Sequence, residues 1–192
     1  MTLNVYIGTE DAQLIPQKVL EYSIHKNTSS PIKIQAVKQE SKRVGGTNFG
    51  FVRFLVPKLN NYKGKAIYLD ADQLVFTDIQ ELGNALDANH VIGLVNKPEG
   101  TFGKKVVGQH NQTSVMVLDC EKLTDWVPDT MFSPVVPNRS DLEPGQIHYR
   151  DFMMLTWFDQ QKIQSIDPRW NHFNIVEPHS KLTHFSHVRS QP

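Results

Sequence analysis

The sequence predicts an α/β fold, and three observations carry that reading. Strand-like and helix-like segments alternate along the chain, the strands are short and apolar, and one of them, Ala66–Leu69, runs straight into a carboxylate pair, Asp70 and Asp72. Open α/β sheets bind ligands beyond the carboxyl ends of their strands, so the third observation also marks a candidate site. A chain of 192 residues fits one domain over 1–192 and can bury a substantial core.

Leu3–Ile7 reads as a buried strand ended by Gly8. Asp11 is placed to cap a helix over residues 12–26, with Leu14, Val19, Leu20 and Ile24 on one face and Pro16 tolerated in the first turn. Residues 31–37 alternate apolar and polar and make a second strand. Strand, helix and strand in so short a unit imply a parallel crossover. A polar loop follows over 38–47, with Gly45-Gly46 near its end. The spacing of Phe51, Phe54 and Leu55 then predicts a helix over 48–56 that stops before Pro57.

After the third strand, residues 78–82 read as a short capped helix and 90–95 as a strand. Residues 96–108 form a glycine-containing hairpin or flap, and 113–119 a fifth strand. Four prolines and little periodicity make 126–145 a long irregular loop. A packed helix is expected over 147–158, a short strand over 163–166, and irregular chain from 167 onward.

Bulk composition narrows the function. Twenty basic residues balance twenty acidic ones, and without a basic cluster the chain lacks the footprint of a nucleic-acid binder. Cys120 is the only cysteine, so an intramolecular disulfide is ruled out. No basic stretch followed by an apolar run opens the sequence, and no apolar stretch is long enough to be a transmembrane segment. A cytoplasmic location is the expectation.

The chemistry gathers at Asp70-Ala71-Asp72. In extended backbone residues i and i+2 project to the same side, so both carboxylates point into the crevice. Such a pair repels itself unless a cation sits between, and all-oxygen ligation suits Mg²⁺ or Mn²⁺ with diphosphate oxygens completing the shell. Four readings of the pair stay open: a solvated turn, a phosphatase of the haloacid dehalogenase type, a nucleotidyltransferase, and a sugar-nucleotide protein that either transfers or only binds.

Residues 47–54, Thr-Asn-Phe-Gly-Phe-Val-Arg-Phe, lead through Leu59-Asn60-Asn61-Tyr62 to Asp70 and Asp72. This run resembles the core of the family 8 glycosyltransferases, which include glycogenin and bacterial lipopolysaccharide glucosyl- and galactosyltransferases. The resemblance implies a GT-A fold, a Rossmann-like mixed sheet flanked by helices, and a UDP-sugar donor with Mn²⁺ or Mg²⁺ as cofactor. It implies transfer of a hexose with retention of configuration. Residue by residue, it places the uridine half of the donor on the turn holding Tyr6, Gly8, Thr9 and Asp11. It places the cation at Asp70, Asp72 and His184, with Ala71 between the carboxylates. Arg53 reaches the donor, Gln112 lies on the strand beside the sugar, Asp151 binds sugar hydroxyls, and Arg189 stands for the lysine that binds the diphosphate. The chain departs from the family pattern where Gln112 replaces Asn, Ser114 replaces Gly and Phe152 replaces Gln. No motif names the acceptor, whose contacts fall in variable loops such as 126–145.

Overall fold

The computed structural model describes residues 2–38, 49–97, 100–102, 105–107 and 110–186. Strand β1 (Leu3–Gly8) is followed by a 3-10 turn, Asp11–Gln13, and helix α1 (Leu14–Asn27). The helix starts later than expected and Asp11 does not cap it; the Asp11 carboxylate instead accepts from Lys38 at 2.5 Å. Its buried face is Gln17, Leu20, Ser23 and Ile24. Leu14, expected on that face, lies about 120° round the axis from Leu20 and is exposed.

Strand β2 (Ile32–Val37) pairs parallel with β1, as the crossover requires. The loop expected after it lies, beyond Lys38, outside the described residues. Residues Gly50–Leu55 form a 3-10 helix that passes directly into α2 (Val56–Leu59). Pro57 therefore does not stop the helix. It sits in the first α-helical turn, where its missing N–H has no partner to lose.

Strand β3 (Lys65–Asp70) turns through Ala71 and Asp72 into β4 (Gln73–Val75), which α1 anchors: Ser23 Oγ accepts from Val75 N, and Asn27 Nδ2 donates to Val75 O. Helix α3 (Ile79–Gly83) is capped by Asp78, as expected, through a hydrogen bond from Gln80 N. Strand β5 (Ile92–Lys97), the hairpin β6 (Gly100–Phe102) and β7 (Lys105–Val107), and the ten-residue β8 (His110–Asp119) follow.

The segment 126–145 is more ordered than its prolines suggest. It holds α4 (Pro128–Phe132), with proline again in the first turn, and β9 (Val135–Val136), which pairs with β10 (Ile147–His148). The helix expected over 147–158 shrinks to α5 (Tyr149–Met153). Leu155, fully buried, adopts φ 55°, and side chains of β8 take the carbonyls that would have continued the helix. Thr113 Oγ1 donates to Met153 O and Asn111 Nδ2 to Met154 O. The chain ends with β11 (Ile163–Ser165), β12 (His172–Phe173) and β13 (Leu182–His184).

The main sheet has the order β11-β5-β8-β3-β1-β2. All its strands run one way except β8, which pairs antiparallel with both β3 and β5. Alternation along the strands feeds two cores. Val5, Ile7, Ile67, Leu69, Val115 and Val117 pack with Leu20 and Ile24 of α1 and with Trp170 and Leu182. Tyr6, Tyr68, Leu94, Met116 and Leu118 pack on the other face against an aromatic group that includes Phe51, Phe54, Trp126 and Phe152. Cys120 is buried in this second core, which pushes its thiol up to about 12. A three-stranded sheet, β12-β13-β4, stands at the carboxyl end of β3 and carries the last part of the site.

Candidate active site

Asp70 is the last residue of β3 and shares a sheet face with Tyr68 two positions earlier. The Tyr68 hydroxyl donates to Asp70 Oδ1 at 2.6 Å. On the same face Arg53, projected inward by the 3-10 helix, donates through Nη2 to both Asp70 oxygens at 2.9 and 3.2 Å. Arg53 Nη1 donates to Thr113 Oγ1 at 2.6 Å, and Thr113 Oγ1 in turn donates to Met153 O at 2.8 Å. Four elements are thus joined through one guanidinium. Burial raises the Asp70 carboxyl above its usual range, while Arg53 and His184 pull it down. Burial also works against the charge on Arg53, but Asp70 leads the groups that outweigh it and keep the guanidinium charged.

The chain bends after Asp70, and two backbone bonds hold the bend. Ala71 N donates to Gly8 O at 3.1 Å, tying the ends of β1 and β3, and Phe185 N donates to Asp72 O at 2.8 Å. The second bond brings β13 alongside, and antiparallel pairing of β13 with β4 sets His184 opposite Gln73. His184 Nε2 then lies 3.2 Å from Asp72 Oδ1. One ligand atom from each of Asp70, Asp72 and His184 lies within 4.8 Å of the others. His184 is buried, and its Nδ1 has no hydrogen-bond partner among the described residues. Two carboxylates and an imidazole are a donor set that accepts Mn²⁺ more readily than the all-oxygen-loving Mg²⁺.

Gly8 owes its place to close approach. A Cβ there would lie 2.1 Å from the Tyr68 hydroxyl oxygen, the atom that bonds Asp70. Gly8→Ala is expected to displace Tyr68 and to cost about 1–3 kcal/mol by overpacking. A thermal melt beside wild type checks this, and an unchanged midpoint would contradict it. Thr9, almost fully buried, follows and donates its backbone N–H to Val37 O at 3.0 Å. The Tyr6 side chain turns into the core, where its hydroxyl donates to Asn60 Oδ1 at 3.0 Å. Gly8, Thr9 and the exposed Asp11 therefore make up the turn at the crevice.

Gln112 lies on β8 at a register shift. Pairing with β5 jumps from Leu94↔Met116 to Val95↔Gln112, leaving Thr113, Ser114 and Val115 without partners on β5. Bulges of this kind re-aim side chains beside active sites. Here Thr113 meets Arg53, while Ser114 Oγ accepts from Asn171 Nδ2 at 3.0 Å and Ser114 O from Gln73 Nε2 at 2.9 Å.

Asp151 lies inside α5, whose cap is His148, and its carboxylate accepts from Arg139 Nη2 at 2.8 Å. Phe152 is buried and stacks on Trp157 at 5.1 Å with the rings 10° from parallel. The position where the family pattern has Gln therefore belongs to the core. Arg189 lies outside the described residues. Sequence reasoning missed Tyr68, Thr113 and Gln73, and had Ser114 only as a departure from the family pattern. Only Tyr68 carried a local signal, its i−2 spacing from Asp70.

Known proteins share this fold. The chain is 26% identical to Protein CDI of Arabidopsis thaliana, over 93% of this chain and 71% of that one. Its fold superposes on the apo-form glycosyltransferase GlyE of Streptococcus pneumoniae TIGR4 with a TM-score of 0.70 at 16% identity, covering 98% of this chain and 55% of GlyE. The chain thus spans about half the length of GlyE. The galactosyltransferase LgtC, solved in complex with donor and acceptor sugar analogues, superposes with a TM-score of 0.62 at 12% identity over 97% of this chain and 88% of LgtC. These are GT-A folds, and their mixed sheet is the one described above. The sequence pattern of glycosyl transferase family 8 matches residues 2–126, a stretch that contains Gly8, Arg53, Asp70 and Asp72, and the chain belongs to that family.

Proposed function

We propose that the chain transfers a hexose from a UDP-sugar to an acceptor hydroxyl, with a divalent cation, Mn²⁺ or Mg²⁺, held by Asp70, Asp72 and His184. The observation that carries this reading is the convergence of those three side chains at the carboxyl end of β3, beside the turn after β1, in a chain of this family. The donor and acceptor analogues bound by LgtC support a two-substrate reaction. When bound, the cation supplies Lewis-acid stabilisation of the charge that develops on the diphosphate leaving group.

The remaining roles fall to this chain's own groups. Gly8, Thr9 and Asp11 receive the uridine half, with Ala71 N holding the two strand ends together below it. Arg53 keeps Asp70 ionised and oriented and adds positive charge to a site that receives a diphosphate. Arg189 contributes a second cation for that diphosphate. Asp151 holds donor-sugar hydroxyls, and Gln112 lines the strand beside them. Retention of configuration follows the family pattern. That Gly8 and His184 belong to one site supports taking 1–192 as one domain. Among the described residues no helix is long and apolar enough to cross a membrane.

Incubation with a panel of UDP-sugars and Mn²⁺ tests the reading. UDP release that stops on chelation is the expected result, and no release from any donor would overturn it. Asp151→Ala separates sugar recognition from nucleotide binding. Losing a charged hydrogen bond costs roughly 1.5–3 kcal/mol, on the order of tenfold to a hundredfold in rate. UDP–Mn²⁺ affinity should stay near that of wild type while turnover falls by that factor. Equal loss of both would remove Asp151 from the sugar site.

A further inference from the structure

The five residues of α5 are too few to hold a helix by themselves, so the placement of Asp151 depends on bonds from outside it. Some are close in sequence. Trp157 Nε1 donates to Phe152 O at 3.0 Å, and Thr156 donates to Asp151 O through its backbone N–H at 3.1 Å and its hydroxyl at 3.2 Å. Others come from the main sheet. Asn111 Nδ2 donates to Met154 O at 3.0 Å, and Thr113 Oγ1 to Met153 O at 2.8 Å. Asn111 spends its remaining bonds on Asn96 of β5 and on Gln160. Thr113 instead accepts from Arg53 Nη1 at 2.6 Å. Among the described residues it is the one side chain hydrogen-bonded both to Arg53 and to α5.

The direction of this relay is forced. A guanidinium only donates and a backbone carbonyl only accepts, so the single hydroxyl proton of Thr113 must point at Met153 O. The charge on Arg53 polarises that hydroxyl and strengthens its bond onward to α5. Thr113 is 5% exposed and lies in the bulge of β8, where β5 offers it no partner. Its branched side chain restricts χ1, so the hydroxyl is held where both bonds form.

We propose that Thr113 is a positioning residue for the donor. Its hydroxyl sets Asp151, on the sugar side, relative to Arg53 and Asp70, on the diphosphate side. The assignment rests on the transferase reading above and adds a residue that touches neither sugar nor cation but fixes the spacing of the groups that do. One donor must engage both sides at once, and a misplacement of about 1 Å at such a site costs on the order of a hundredfold in rate.

Thr113→Val keeps the shape and removes the hydroxyl, whereas Thr113→Ser keeps the hydroxyl. Calorimetry compares affinity for UDP with affinity for a UDP-sugar that wild type turns over, both with Mn²⁺. Amide hydrogen exchange reads α5 in the ligand-free protein. In Thr113→Val, exchange at the amides of Met154 and Thr156, which bond back to Arg150 O and Asp151 O, should quicken about tenfold. UDP affinity should stay within about threefold of wild type, while affinity for the UDP-sugar relative to UDP falls about tenfold, the lower end of what a hydrogen bond to a charged group is worth. Thr113→Ser should restore both. A merely structural role would act whether or not Asp151 is present. Positioning would not: added to Asp151→Ala, Thr113→Val should lower that ratio by less than about twofold. A full tenfold fall in the double variant, a wild-type ratio in Thr113→Val, equal loss of UDP and UDP-sugar affinity, or a Thr113→Ser as weak as Thr113→Val would each overturn the assignment. Should Thr113→Val not fold, Thr113→Ala, with room for a water at Arg53 Nη1, carries the same comparison. Failure of wild type to bind any UDP-sugar would strike the transferase reading, whereas unchanged exchange in Thr113→Val would strike the positioning by itself.

Discussion

Asp72→Asn is expected to abolish Mn²⁺-dependent UDP binding while leaving stability near that of wild type, whereas Asp70→Asn loses that binding and much of its stability. The difference follows from the partners of each carboxylate. Asp72 faces His184, and an amide there still accepts a hydrogen bond from the imidazole. Its loss as a ligand should weaken UDP–Mn²⁺ binding by more than the roughly 10–100-fold that changes one layer further from a metal cost. Asp70 is also the counter-charge of buried Arg53. Removing one partner of a buried ion pair costs about 3–5 kcal/mol, or about 6–20 °C in melting temperature for a domain of this size. Calorimetry with UDP and Mn²⁺ beside a thermal melt checks both variants. An Asp72→Asn protein that binds normally, or an Asp70→Asn protein that melts like wild type, would contradict the account.

Arg53→Met is expected to be as destabilising as Asp70→Asn, by about 3–5 kcal/mol near neutral pH. It strands an ionised Asp70 in the core with Tyr68 as its remaining donor. Burial is the largest influence on the Asp70 carboxyl and raises it, and Arg53 is the largest influence holding it down. With Arg53 present the Asp70 carboxyl is already raised, so the folded form binds its proton more tightly than the unfolded chain does, and loss of Arg53 raises it further. Stability then rises as pH falls, so the deficit relative to wild type should shrink toward acid. Denaturant titrations of both proteins at a series of pH values measure this. A deficit that stays constant or grows toward acid would mean that Arg53 stabilises by packing alone.

The parts of this structure that were legible in the sequence are those fixed by near neighbours. Alternation in residues 31–37 and the apolar run before Asp70 gave the strands, and Asp78 gave a capped helix. The carboxylates of Asp70 and Asp72 were legible as a pair from the apolar strand that runs into them, although the chain bends after Asp70 and long-range backbone bonds, not strand periodicity, set the position of Asp72. What escaped was decided by distant chain. The helix over 147–158 failed because Thr113 and Asn111, some forty residues earlier, take its carbonyls. The bulge in β8 depends on the register of β5, which residues 112–114 do not encode by themselves. Arg53 was expected to face the donor, and its apolar neighbours gave no hint that Asp70 and Thr113 would engage it first. Leu14 was assigned to the wrong face because six residues separate it from Leu20, which puts it about 120° round the axis from the buried stripe. His184 reached the site only through pairing of β13 with β4. The family resemblance, and no local pattern, pointed to it.

The central claim is that Asp70, Asp72 and His184 hold one divalent cation for the diphosphate of a nucleotide sugar. Crystals grown with UDP and Mn²⁺, measured at the manganese absorption edge, test it most directly. The account predicts one anomalous peak at bonding distance, about 2.0–2.3 Å, from a carboxylate oxygen of each aspartate and a ring nitrogen of His184, with phosphate oxygens of UDP completing the shell. UDP bound with no anomalous peak among these three side chains, or manganese bound elsewhere while Arg53 alone compensates Asp70, would contradict it.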